Sequence, residues 1–406
     1  MSFFQTVVLV LVCLLLGGCA AILNSDRADY SGPQAKPLWT VTNVTIEKRP
    51  LIEGGVVYAQ SAADLRALDL KSGNQIWISP IAFDEVLTVA GNRLLAIDTK
   101  GLLHSLDAKT GRELAPPTPS NLLSATAGGA ILYTVGKDQS VRAFDAPDHT
   151  LWTARVPMNV LFHPVLAGAN LYVYGQLKDA SAVKRNCAVH AFDSMSGALR
   201  WKWESEDCSG PEDSRMSTLV ADADAAYLTI DTPTVNDRAG MVLALDAATG
   251  KQRWNSPTVQ FHPEGPILFD ASTLVVADNI PGDHGGTATR AKPQVFRSLE
   301  KSTGKVLWEV RTSSKYYRWT AAEGRIYVAD RKAHALAGTG NDTSPDSFLT
   351  VVDLRSGKEL WRSEAIDLAS FTAPAVADGV AVFGSVPYGT TSRAAGLYAF
   401  STTAPK

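Results

Sequence analysis

Apolar residues in this chain recur in short runs, alternating with polar positions or broken by turn residues. Nowhere do they keep the spacing of a long amphipathic helix. The stretch "DEVLTVAGNRLLAIDTKGLLHSLD" (84–107) shows the unit: a strand, an Ala-Gly-Asn turn, a second strand, a Thr-Lys-Gly turn and a third strand. The phrase that ends such a unit repeats along the chain. It reads "RALDLKSGNQIW" (66–77), "HSLDAKTGREL" (104–114), "RAFDAPDHTLW" (142–152), "HAFDSMSGALRW" (190–201), "LALDAATGKQRW" (243–254), "RSLEKSTGKVLW" (297–308) and "TVVDLRSGKELW" (350–361). A truncated eighth copy is "LYAFSTT" (397–403). Copies lie about 38 residues apart early in the chain and about 48–54 apart later.

Each copy predicts the same joint. A strand ends at an acid, which caps a tight turn by accepting backbone N–H bonds: Asp69, Asp107, Asp145, Asp193, Asp246, Glu300 and Asp353. Glycine then takes the left-handed position, at Gly73, Gly111, Gly197, Gly250, Gly304 and Gly357. A tryptophan follows on the next strand, at Trp77, Trp152, Trp201, Trp254, Trp308 and Trp361. Four strands per unit make a propeller blade, whose two faces must be covered by its neighbours. An indole, burying on the order of 200 Å², is a suitable plate for that contact. The last copy lacks its Trp strand, but "PLWTVTN" (37–43) precedes the first blade, so Trp39 is expected to supply it. The expectation is an all-β, eight-bladed β-propeller of four-stranded blades, closed by an N-terminal strand completing the last blade. Because they recur in every blade, the acids, glycines and tryptophans of the phrase read as structural.

Composition adds an envelope setting. The first eighteen residues, "MSFFQTVVLVLVCLLLGG", are apolar, too short to span a bilayer comfortably, and end in small residues before Cys19. Residues 16–19, "LGGC", resemble a bacterial lipobox, which implies cleavage before Cys19 and lipid on its thiol. Lipid there would anchor the domain to a membrane surface without spanning it. Ala20 stands where sorted lipoproteins kept at the inner membrane usually carry Asp, which implies the periplasmic face of the outer membrane. The chain then divides into a signal peptide (1–18), a lipidated flexible tether (19–36) and the propeller (37–406). In an oxidising compartment Cys187 and Cys208 are expected to form a disulfide, the alternative being two free thiols. A formal net charge of -3 gives no electrostatic footprint for nucleic acid.

The repeated pattern A-x-D-x-x-[TS]-G-x-x-x-W resembles the tryptophan-docking repeat of PQQ-type eight-bladed propellers. With its lipobox and length, the chain is similar to the BamB-type lipoproteins of the outer-membrane β-barrel assembly machinery. That resemblance implies a non-catalytic scaffold without a cofactor that binds envelope proteins, either that machinery or, as an alternative, a different envelope complex. The quinoprotein relatives bind their cofactor in the central funnel, commonly beside two adjacent cysteines. No Cys-Cys pair and no C-x-x-C-H haem motif occurs here. The family's partner-contact loop has only a loose counterpart in "PEDSRMSTLVADADAAYL" (211–228), with Asp213, Arg215 and Leu219.

Candidate chemistry must lie where the repeats differ. "KRP" (48–50), "FHP" (162–164), "FHP" (261–263) and "YYRW" (316–319) precede or open inner strands, so Arg49, His163, His262, Tyr317 and Arg318 are expected to ring one mouth of the channel. This mouth supports the alternative reading, a quinoprotein-like or other small-ligand-binding propeller. Two histidines without a placed acidic partner are a weak metal site, and Asp283 with His284 in "GDHGGT" are no stronger. Blades four to seven gain length between their second and third strands, at 175–187, 231–240, 278–294 and 330–347, and blade eight at 385–396. These loops carry Lys178, Lys184, Arg185, Arg238, Arg290, Lys292, Arg331 and Lys332, and are expected to gather on one face.

Overall fold

The computed structural model describes residues 21–22, 32–146, 149–158, 160–177, 185–208, 219–233, 238–256, 259–260, 268–279, 294–311, 318–331, 347–366, 369–387 and 395–405. Their strands form eight antiparallel sheets around a ring. Blade 1 runs Leu51–Glu53, Val56–Gln60, Leu65–Asp69 and Gln75–Ser79 from the inside outward, and the following blades repeat that order. Blade 8 is closed from the other end of the chain: Trp39–Thr42 pairs antiparallel with Gly396–Ser401, Trp39 opposite Ala399. The expected closure is therefore seen, and it leaves no open seam between the chain ends.

Instead of one core there are eight buried plates, one per junction. Leu65, Ala67 and Trp77 of blade 1 meet Phe83, Leu94 and Ala96 of blade 2. Phe383 and Phe400 of blade 8 meet Tyr327 and Trp361 of blade 7. Strand alternation explains this, because successive side chains point to opposite faces and both faces of each inner sheet are covered. In blade 1, Ala67 faces blade 2 while Leu68 packs toward blade 8.

The segment expected to be a flexible tether is partly strand. Gln34–Ala35 adds in parallel to the outer strand of blade 7. The Arg362 amide donates to Pro33 O (3.1 Å), the Glu364 amide donates to Ala35 O (2.9 Å), and the Ala35 side chain is buried. Ala21–Ile22 pairs likewise with Val310 and Arg311 of blade 6. An outermost strand leaves a row of unpaired N–H and C=O groups, which recruit a nearby extended segment whatever its polarity. The ordered domain thus begins before residue 37.

Candidate functional site

The repeat joint has one geometry. In blade 1, Asp69 Oδ1 accepts the Ser72 amide (2.8 Å) and the Ser72 hydroxyl (2.7 Å), while the Gly73 amide donates to Asp69 O (2.8 Å). Gly73 has φ +71°, and a Cβ built on it would lie 2.6 Å from the Trp39 ring. The indole of one blade therefore lies on the turn glycine of the next. Its N–H also donates to a fixed acceptor, the carbonyl just after the repeat acid. Trp39 donates to Leu70 O (3.0 Å), Trp77 to Ala108 O (3.0 Å), Trp152 to Ser194 O (2.9 Å), Trp201 to Ala247 O (2.9 Å), Trp254 to Lys301 O (2.8 Å) and Trp308 to Leu354 O (2.8 Å). Trp361 departs from the rule. It is fully buried near Phe400, and among the described residues its Nε1 has no hydrogen-bond partner; the eighth phrase also lacks the turn glycine on which the other indoles lie.

The channel mouth is formed where inner strands begin. Glu85 of blade 2, Ser124 of blade 3 and Arg318 of blade 7 occupy one rung, each opposite the fifth residue of its second strand: Ile97, Val135 and Ala329. Arg49 enters from the segment before blade 1, and its Nη2 donates to Thr320 Oγ1 of blade 7 at 3.2 Å. Burial lowers the Arg49 pKa from its ordinary value. The residue is nonetheless exposed to solvent, so it has neighbouring blades around it without being shut off from water. His163 of blade 4 is half-buried; burial lowers its pKa and the Glu85 carboxylate partly offsets that, so the ring is neutral near pH 7.

The structure thus places Arg49 on Thr320, two residues from Arg318, and His163 within reach of the Glu85 charge. His262, Tyr317, Asp283, His284, Lys178, Lys184, Arg290, Lys292, Lys332, Asp213, Arg215 and Cys19 lie outside the described residues. So do most residues of the long loops. Among the described residues no three His, Cys, Asp or Glu side chains converge on a metal position.

Another polar cluster was not anticipated. His104 of blade 2 is buried between two carboxylates, with Nε2 3.2 Å from Asp98 Oδ2 and Nδ1 2.6 Å from Glu113 Oε1. Asp98 sits in the turn between the second and third strands and accepts the Leu102 (2.8 Å) and Lys100 (2.9 Å) amides. Burial alone would raise its pKa, but these bonds and His104 leave it lowered. Blades 1 and 3 build the same bracket, Arg66 on Asp64 (2.8 Å) and Arg142 on Asp138 (2.8 Å). The signal was the basic residue three places before each repeat acid. These brackets tie down the short loops of blades 1–3, so they are structural.

The docking joints and the eight-sheet ring define a PQQ-repeat propeller of the tryptophan-docked kind. A family model described as outer membrane protein assembly factor BamB matches residues 61–260 and 238–400, and the chain belongs to that family. It is 25% identical over 375 residues to the outer membrane protein assembly factor BamB of Burkholderia pseudomallei, covering 90% of this chain and 83% of that one. The crystal structure of BamB from Moraxella catarrhalis superposes with a TM-score of 0.54 at 14% identity, over 90% of this chain and 99% of that one. A europium-containing methanol dehydrogenase superposes equally well, with a TM-score of 0.54 at 13% identity, over 90% of this chain and 93% of that one. At such identities the likeness is one of fold alone, and the fold does not separate scaffold from enzyme.

Proposed function

We propose that this chain is a non-catalytic, lipid-anchored scaffold on the periplasmic face of the outer membrane that assists assembly of β-barrel proteins there. The observation that carries the reading is the match to the assembly-factor family across nearly the whole propeller. Relatives bearing the same assembly-factor name support it. The repeat acids, glycines and indoles are engaged in turns and docking, which leaves the function to surfaces outside the phrase. Anchoring through Cys19 is supported by the "LGGC" at 16–19 and by Ala20. The Cys187–Cys208 disulfide is part of the same proposal. It is supported by Cys187 being buried and disulfide-bonded, and by Cys208 lying on the adjoining strand opposite Arg185.

Crosslinking of the full chain in cells, followed by mass spectrometry of captured proteins, tests the scaffold. Recovery of the barrel-insertion complex is expected, and its absence overturns the reading. Incubation of the purified chain with PQQ and calcium tests the non-catalytic part: a bound chromophore with alcohol oxidation would refute it.

A further inference from the structure

Arg49 lies in the segment just before blade 1 yet bonds Thr320 in blade 7, on the far side of blade 8 in the ring. On the blade 7 inner strand, Arg318–Ala322, Trp319 turns toward blade 6 and meets Phe296 edge-on with ring centroids 5.0 Å apart. Alternation then turns Arg318 and Thr320 the other way, toward blade 8, and Ala322 on that same side packs in the blade 7–8 core. Arg49 therefore bonds buried Thr320 on the strand face that also carries Arg318, two residues away.

Among the described residues neither guanidinium forms an ion pair, and Arg318 makes no hydrogen bond. A guanidinium carries five N–H donors in a rigid fork, and Arg49 uses one of its own on Thr320. Surrounding blades lower its pKa, and among the described residues no carboxylate offsets that. Arg49 is exposed to solvent, so its remaining N–H donors are free to meet an anion, to which a guanidinium offers charge-assisted, fork-shaped bonds. Among the described residues Glu85 acts on His163 and not on Arg49, whose pKa no charged neighbour shifts.

We infer that Arg49 and Arg318, with Thr320 between them, form a binding site for a small oxyanion, a carboxylate or a phosphate, at the inner-strand mouth of the channel. The site does not depend on the scaffold reading. It is tested by calorimetric titration of the full chain with sodium phosphate and, separately, sodium succinate, in a fixed chloride background. Saturable binding of at least one is expected. Phosphate alone assigns a phosphate site, and succinate alone assigns a carboxylate site.

Arg318→Gln removes a charge from an exposed side chain that bonds nothing described, so the variant should melt like the parent. It is expected to weaken binding about tenfold or more, as loss of a charge-assisted contact does. Arg49→Lys keeps the charge, loses the fork and is expected to weaken binding as well. Two results overturn the inference: neither anion saturating by about 10 mM, the weak end of specific affinity, or an affinity unchanged in both variants while their melting is normal.

Discussion

Between blades 1 and 2 stands Trp77, its ring on Gly111 and its N–H on Ala108 O; the Tyr58 hydroxyl donates to the same carbonyl at 3.1 Å. Between blades 2 and 3 the corresponding rung holds Ala115, which pairs with Ser105 as Trp77 pairs with Ala67. Blade 3 in turn has no glycine at the receiving position; its Asp145 instead bonds the His149 ring at 2.6 Å. Loss of the plate and loss of its seat occur together. What remains buried is small, Ala90, Leu95, Ala125 and Leu132, and two hydroxyls facing this seam, Ser105 and Thr134, find no hydrogen-bond partner among the described residues. The repeated phrase thus marks strong joints, and its interruption marks one with a smaller apolar plate.

The largest expected effect breaks the strong joint. Trp77→Ala should lower unfolding stability by about 3–5 kcal/mol, the range for deleting a large buried aromatic. Ala115→Gly at the equivalent rung should cost about 0.5–1 kcal/mol, mostly from backbone entropy. Urea denaturation of both variants checks the pair, and equal losses would show that the indole does not join the blades. A smaller contrast uses two turn glycines. At Gly111 (φ +70°) a Cβ would lie 2.6 Å from the Trp77 ring, whereas at Gly101 (φ +79°) it would meet open space. Gly101→Ala then carries backbone strain alone, about 1 kcal/mol, and Gly111→Ala adds the clash, for roughly 2–3 kcal/mol in total. Melting temperatures that fall equally would remove the docking contact from the account.

The strong joints were legible because they recur: acid, glycine and indole at fixed spacing, with Trp39 standing where the eighth copy lacked its strand. The weak joint was half legible. Absence of tryptophan from "HSLDAKTGREL" is visible in the chain, but the orphaned Thr134 hydroxyl depends on which way a strand of the next blade faces. Arg49, His163 and Arg318 could be picked out in the chain because they sit beside the prolines and aromatics that precede or open inner strands. Glu85 was hidden because register shifts in Phe83–Ala90 move it off the simple count from the turn. Thr320 was hidden because only ring closure brings it to Arg49, 271 residues away.

Acid should loosen the strong joints through their turns. Asp246 receives the Trp201 joint, and its carboxyl is lowered to about 2, first by the Arg253 guanidinium and then by the Thr249 hydroxyl and amide. A depressed carboxyl stabilises the fold fully above its unfolded pKa of about 3.9, and that contribution is lost as pH falls toward 2. Urea midpoints at pH 5 and pH 2.5 should therefore drop further for the parent than for Asp246→Asn. An identical drop would mean that the turn carboxylate does not hold this joint.

The smallest effect should differ in sign between the two junctions. Tyr58→Phe deletes a hydroxyl that donates to Ala108 O across the strong joint, and a lost buried bond of this kind costs about 0.5–1.5 kcal/mol. Thr134→Val deletes a hydroxyl that lies buried at the weak seam without a partner, keeping a similar shape. Its removal ends an uncompensated desolvation, so the variant should gain about 0.5–1 kcal/mol. Chemical denaturation resolves both changes. A loss in Thr134→Val as large as that in Tyr58→Phe would mean that the seam hydroxyl is bonded in solution, through ordered water. The blade 2–3 junction would then be held by a polar network in place of the missing indole.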